Sequence, residues 1–378
     1  MQISKKSLFD FAIIGAGISG ASCAYFLKKR GKRVVVIDSD KIANGGSGAA
    51  GAFLSPKICS PSAYTAFIND SFEFSIKFYQ DNFEKFLDIT GILRVLKSKR
   101  DMEQCRFYED VLPKKFIYLK PQDIKYLKKD ACKFGAYFFE DGALIDSVGV
   151  VEAMLEDIEV IESLHVESLN YVGGHYEFGN IKAKGVVLCA GNSKDFSHLD
   201  FLGLKDICGH RIDVKTLTNL PFHMHKSCSI SANRDGVVHI GATHIPNYRY
   251  SKDDCYKKEI KDMQEKAKSY LNFDCFEVQK IHFGVRNSTN DFYPVAGRVI
   301  DAKETLKKYP YITKGSKVPK ESYVYYPHMF VHCGLGARGF VLAPKTAEIL
   351  AKNICDNVPI DKKLDTQRLF LKYAKRKV

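Results

Sequence analysis

The first legible pattern is a short apolar run that stops at glycine. Phe9-Asp10-Phe11-Ala12-Ile13-Ile14 predicts a buried strand, and Gly15-Ala16-Gly17-Ile18-Ser19-Gly20 opens a helix behind it. That helix carries Ala21, Ala24 and Leu27 on one face and stops at Gly31. Arg33-Val34-Val35-Val36-Ile37 predicts a second strand, closed by Asp38. The unit is β-α-β at the spacing of a dinucleotide fold.

Tyr64, Phe67, Ile68, Phe72, Phe78 and Phe86 recur near a 3.6 period, so residues 61–87 are expected to be helical. Residues 91–140 mix short strands and Lys-rich turns without a clear period. Residues 166–178 read as a hairpin around Gly173-Gly174. Residues 185–191 form another buried strand ending in small residues, and residues 237–242 a further strand. Residues 253–271 are an amphipathic helix with Tyr256, Ile260, Met263, Ala267 and Tyr270 inward. Residues 323–333 are strand-like, Gly334-Leu335-Gly336-Ala337-Arg338-Gly339 breaks them, and a helix follows to Ile354. No repeat or low-complexity linker separates domains. Nucleotide-binding signals at both ends predict one discontinuous domain and one inserted domain.

Composition narrows the class. The 378 residues are 45% hydrophobic and 27% charged, which excludes a disordered chain. There is no apolar run long enough for a membrane span, and residues 9–14 are too short for a signal-peptide core. The eleven cysteines are scattered, without CxxC or CxxxC pairs, so the expectation is a cytoplasmic protein with reduced thiols and no metal. The 57 basic and 44 acidic residues leave a net charge of +13. Either this is a solvated basic surface or it steers a polyanionic partner. The tail from Asp361 to Val378, ending in Lys372, Lys375, Arg376 and Lys377, is the best local support for the second reading.

Gly15 suits a tight strand-to-helix turn, Gly17 close approach to a pyrophosphate, and Gly20 close helix–strand packing, with the pyrophosphate on the helix N-terminus. Asp38 is placed for the adenosine ribose hydroxyls. This motif leaves NAD, FAD and S-adenosylmethionine open. A second run of small residues, Gly45-Gly46-Ser47-Gly48-Ala49-Ala50-Gly51-Ala52-Phe53, offers further backbone donors suited to a long dinucleotide.

Gly15–Gly20, Asp38 and the segment 46–53 together resemble the D-amino-acid-oxidase-like FAD-dependent oxidoreductases. Ala190-Gly191 resembles that family's internal FAD contact, and Gly334–Gly339 its C-terminal flavin loop. The resemblance implies an α/β protein: a FAD/NAD(P)-binding Rossmann-like domain of the glutathione-reductase type with an inserted α+β substrate domain of the D-amino-acid-oxidase type. The expected FAD-binding domain comprises residues 1–90, 140–200 and 325–378; the substrate domain comprises 91–139 and 201–324. The implied cofactor residues are Gly15, Ala16, Gly17, Ser19, Gly20, Asp38, Ser39, Gly46, Ser47, Gly48, Ala49, Ala50, Gly51, Val166, Ala190, Gly191, Gly297, Gly334, Leu335, Gly336, Ala337, Arg338 and Gly339.

Within the family, residues 46–56, residues 283–297 and residues 334–350 look like the C-terminal FAD domains of the bifunctional tRNA 5-methylaminomethyl-2-thiouridine biosynthesis proteins. Those domains remove the carboxymethyl group from carboxymethylaminomethyl-uridine at the wobble position. Here Ala49-Ala50 stands where that subgroup has two polar residues, and His244 where it often has Tyr. The chain begins directly at the glycine-bearing strand, so no N-terminal methyltransferase domain is expected and a separate methyltransferase becomes a possible partner. The resemblance further implies tRNA bound through its wobble-modified anticodon stem-loop, dioxygen as electron acceptor, and a cytoplasmic monomer.

Arg286 resembles the family's substrate-carboxylate contact, for which guanidinium offers a planar bidentate partner. Pro294 and Gly297 are expected beneath the flavin edge. Arg338 is a candidate for holding flavin, substrate or anticodon backbone, and Lys57 for favouring negative charge on reduced flavin. His244, Tyr248, Arg249 and Tyr250 are candidates for a wall or lid. Each of these has an ordinary structural alternative. His210, Arg211, His223 and His225 show no pattern. Competing readings are a small-substrate glycine, sarcosine or D-amino-acid oxidase, a flavin-containing binding partner without turnover, and an S-adenosylmethionine-dependent methyltransferase.

Overall fold

Valine- and isoleucine-rich runs assemble the first sheet of the computed structural model, which describes residues 8–107, 109, 115–191, 196–246 and 254–376. Strand Leu8–Ile14 lies between Val34–Ile37 and Ile181–Leu188, parallel to both. Val34–Ile37 pairs in parallel with Glu159–Ile161. The second half of Ile181–Leu188 pairs in parallel with Tyr325–Cys333, and its first half carries the antiparallel hairpin of Tyr171–Val172 and His175–Phe178. Val295–Ile300 runs antiparallel to Tyr325–Cys333. The sheet is covered on both faces, which is why its parallel strands read as unbroken apolar runs. Helices Ile18–Lys29, Ala63–Phe83, Ser147–Leu155 and Gly339–Asp356 bury Leu27, Phe72, Val151 and Leu350 in one core cluster. Phe201, Ile312 and Phe370 belong to a second cluster, on the other face.

A nine-stranded sheet is built around Lys205–Lys215. Glu277–Ser288 runs antiparallel along one edge of that strand, while Val237–Gly241 and Ile245–Pro246 share the other. The sheet continues through Ser229–Ile230, His223–His225, Ile92–Val95 and Ala136–Phe139 to Phe116–Leu119. Alternation sends Ile212 and Val214 into the core beneath helix Asp254–Tyr270, where Ile260, Met263, Ala267 and Tyr270 meet them. Arg211 and Asp213 therefore project from the opposite face.

The helix expected over residues 61–87 runs from Ala63 to Phe83, capped by Ser62 Oγ accepting from the Thr65 amide at 3.1 Å. The chain then tightens into a 3-10 turn at Glu84–Phe86. Within the aperiodic stretch 91–140 a helix, Lys99–Phe107, buries only Cys105, so it shows no apolar stripe. Val295–Ile300 falls inside the segment 201–324 expected for the substrate domain. Its pairing with Tyr325–Cys333 puts it in the first sheet instead, because the chain re-enters that sheet at Val295. Tyr248, Arg249, Tyr250 and Lys377 lie outside the described residues. Among the described residues no helix is long and apolar enough to cross a membrane.

Candidate functional site

The carboxyl ends of Leu8–Ile14, Val34–Ile37, Ile181–Leu188 and Tyr325–Cys333 open onto a cavity of about 840 Å³, the position where open α/β sheets bind ligands. Gly15, with φ of +110°, turns the chain so tightly that a Cβ would sit 2.6 Å from the Cys189 carbonyl oxygen. A Cβ on Gly17 would lie 2.9 Å from Ser47 Oγ. The helix starting at Ile18 has no side-chain cap on Gly17; Ser47 Oγ accepts from the Ile18 amide at 2.9 Å. Asp38 is fixed on the wall by amides of Ala16, at 2.6 Å, and Asp40, at 2.9 Å.

The second glycine run borders the same cavity, and Arg211 braces it by donating to the Ala50 carbonyl. Arg211 Nε lies 3.1 Å from Asp213, which also faces His239 Nδ1 at 2.6 Å and His282 Nε2 at 2.7 Å. Burial alone would raise the Asp213 pKa. The hydrogen bond from His239, the charge of Arg211 and the hydrogen bond from His282 hold it well below the usual carboxylate range.

Most of the expected cofactor residues border the cavity; Ala16, Gly20, Gly48, Gly297 and Gly334 do not. Ala16 is buried and binds Asp38. A Cβ on Gly20 would run into the Gly15 carbonyl, and one on Gly48 into the Ala43 carbonyl, so both serve local packing. A Cβ on Gly297, with φ of +147°, would meet Ile360 at 3.7 Å and Thr366 at 3.8 Å. Gly334, with φ of +74°, turns the chain while its amide donates to Asn287 Oδ1 at 2.9 Å.

Arg286, Arg338, Lys57 and His244 all reach the cavity. Arg286 donates to the Thr243 carbonyl at 2.9 Å, and its guanidinium occupies the space left by the missing side chain of Gly209. Burial lowers its pKa, with the nearby Cys208 acting in the other direction. Arg338 donates to the Ser55 carbonyl at 2.8 Å and is likewise lowered by burial. Neither guanidinium has a carboxylate partner within 4.0 Å among the described residues, leaving two inward-facing cations ready for an anion. Burial and the charge of Arg286 push the His244 pKa down, favouring neutral imidazole.

Several wall residues escaped sequence reasoning. Asn287 ties two loops together: its amide nitrogen donates to the Gly191 carbonyl and its oxygen accepts from Gly334. Its only local signal was its place beside Arg286. Arg94 and His225 are register partners on adjacent strands that come from distant parts of the chain, and both face the cavity with His210. Burial, Arg338 and Arg94 push His225 down to about 3. Buried Cys23, Cys189 and His332 also converge, their candidate ligand atoms all within 4.8 Å, although no metal spacing connects them in sequence. Both imidazole nitrogens of His332 already face hydroxyls, of Ser19 and Thr346, at 2.7 Å.

The donor set fits a flavin dinucleotide: cradles that a Cβ would fill, a helix N-terminus opening at the cavity beside the second glycine run, and a fixed carboxylate. A family model described as FAD dependent oxidoreductase matches residues 10–353. The tRNA 5-methylaminomethyl-2-thiouridine biosynthesis bifunctional protein of Leptospira interrogans is 25% identical over 93% of this chain and 58% of its own length. The protein of the same name from Campylobacter fetus is 25% identical over 99% of this chain and 61% of its own. The chain thus spans less than two thirds of these relatives. Glycine oxidase from Bacillus cereus superposes with a TM-score of 0.74 at 18% identity, covering 93% of this chain and 96% of that one. Iminodiacetate oxidase from Chelativorans gives 0.69 at 19%, covering 94% and 98%. These likenesses establish the shared fold.

Proposed function

The chain belongs to the FAD-dependent oxidoreductase family, and on that premise we propose that it removes the carboxymethyl group of 5-carboxymethylaminomethyl-(2-thio)uridine at the tRNA wobble position. The products are 5-aminomethyl-(2-thio)uridine and glyoxylate. The observation that carries this reading is the half-buried Arg286 guanidinium, without a carboxylate partner within 4.0 Å among the described residues, in the cavity bordered by the cofactor cradle. A glycine-type carboxylate supplies the missing counter-charge. The similarity to named tRNA-biosynthesis relatives over nearly the whole chain supports the nucleoside as carrier of that carboxylate.

Gly15, Gly17, Asp38 and the 45–51 run would hold FAD; when bound, FAD supplies a two-electron acceptor for the C–H beside the amine nitrogen. Arg286 fixes the carboxylate, so the glycyl carbon is presented in one orientation. Neutral His244, beside Arg286, can accept a hydrogen bond from the substrate amine without adding positive charge. Arg338 supplies a second cation to the wall, and Lys57 places an ammonium at its rim. Water completes the reaction by hydrolysing the oxidised C=N bond. The reading further takes dioxygen as electron acceptor and a cytoplasmic monomer.

The test is nucleoside analysis of tRNA from cells lacking this chain. Accumulated carboxymethylaminomethyl-uridine is expected. Unchanged tRNA, with purified protein reduced by free glycine or sarcosine, would assign it to small amino acids.

A further inference from the structure

We infer that Phe292 and Tyr64 form a stacking platform at the cavity rim for an unpaired base flanking the wobble nucleotide. The inference rests on the proposed tRNA reading. Phe292 is 63% exposed, although it is a bulky residue held at a φ of +64°. A left-handed backbone is unfavourable for such a residue, and a largely exposed ring returns little of that cost through burial.

The fold nevertheless holds this loop firmly. Thr289 Oγ1 donates to the Tyr293 carbonyl at 2.8 Å and lies 3.0 Å from Asp291. Arg368 binds Asp291 and donates to the carbonyls of Tyr293 and Pro294 at 2.7 and 3.0 Å. Lys372 adds an ion pair to Asp291 at 2.7 Å. Behind the exposed ring, Tyr64 lies 6.3 Å from Phe292 and 5.1 Å from Tyr293. The Lys57 ammonium sits 5.4 Å from the Tyr64 ring centre, and Lys57 itself lines the cavity. Through Lys57 the aromatic pair adjoins the cavity wall, which neither ring lines itself.

This combination matches single-stranded RNA: a rigid exposed ring for a base face and, beside Tyr64, the Lys57 ammonium for the phosphate. A wobble nucleoside inserted into the cavity leaves its chain neighbours at the rim. A free amino acid would leave the platform without an occupant.

The probes are an anticodon stem-loop RNA bearing carboxymethylaminomethyl-uridine at the wobble position, the same RNA abasic at either flanking nucleotide, and the isolated modified nucleoside. Phe292→Ala and Phe292→Leu should raise the stem-loop Kd about 5- to 30-fold, while Phe292→Tyr retains affinity. The isolated nucleoside should reduce the flavin of all variants at wild-type rates, with FAD content and melting temperature matched. One abasic RNA should bind wild type as weakly as Phe292→Ala binds the intact RNA, and the variant should no longer sense that lesion. Equal stem-loop affinity in wild type and Phe292→Ala would overturn the platform alone, leaving the ring to a protein partner. No stem-loop binding by wild type, with flavin reduced by free amino acids, would overturn the tRNA reading and the platform together.

Discussion

Arg286 links residue to chemistry most directly. Its guanidinium is held by the Thr243 carbonyl in the cavity wall, so a bound carboxylate would meet a fixed, desolvated partner. Arg286→Ala should cost about 2–4 kcal/mol of transition-state stabilisation, roughly 30- to 1,000-fold in kcat/KM. Lysine restores charge but not the bidentate fork, so Arg286→Lys should rescue only in part. Anaerobic flavin reduction at matched FAD occupancy checks both; near-wild-type reduction in the alanine variant would remove the carboxylate role. His225 makes a separate prediction. The folded protein keeps it neutral down to about pH 3, whereas the unfolded chain protonates it near 6.5. The unfolded state therefore binds the extra proton in that window, and stability falls as pH drops from about 6.5 toward 3. His225→Gln should flatten melting temperature against pH by about one proton's slope.

At the scale of elements, loop closure sets the cavity's shape. Gly17→Ala would put a Cβ against Ser47 Oγ at the point where the helix N-terminus meets the cavity. We expect FAD affinity to fall at least about tenfold, read by flavin fluorescence on refilling the apoprotein. Asn287 makes a buried link to Gly334 and a part-buried one to Gly191, and Asn287→Ala leaves both backbone groups short of that partner. A loss of about 2–4 kcal/mol in unfolding free energy is expected by denaturant titration. An unchanged midpoint and slope would show that water replaces the amide.

Across the whole molecule, the net charge of +13 makes salt dependence the natural probe of the proposed RNA binding. The tail is not uniformly available. Lys372 pairs with Asp291, and helix Gln367–Ala374 buries Leu369, Phe370 and Ala374. Lys375 and Arg376 remain exposed, so replacing both with Gln should reduce the slope of log K against log salt by up to about 1.4–1.8 without releasing FAD. An unaltered slope would move the phosphate contacts elsewhere on the surface.

The β-α-β unit, the two glycine runs and the C-terminal turn were legible because their function depends on local backbone constraints. A tight turn, a helix start and a buried parallel strand each write themselves into consecutive residues. Gly20 was read for close helix–strand packing, and a Cβ there would indeed meet the Gly15 carbonyl; Gly48 was read as part of a ligand-binding run, yet a Cβ there would meet the Ala43 carbonyl, which sequence spacing does not distinguish from a ligand. Arg94 and His225 carried no signal, because their meeting depends on the parallel pairing of strands far apart in the chain. The same holds for the brace from Asp213 through Arg211 to Ala50, and for the convergence of Cys23, Cys189 and His332. The cofactor cradle was thus largely determined by local sequence. The substrate wall was decided by tertiary structure, since strand register and sheet packing choose which distant side chains face one cavity.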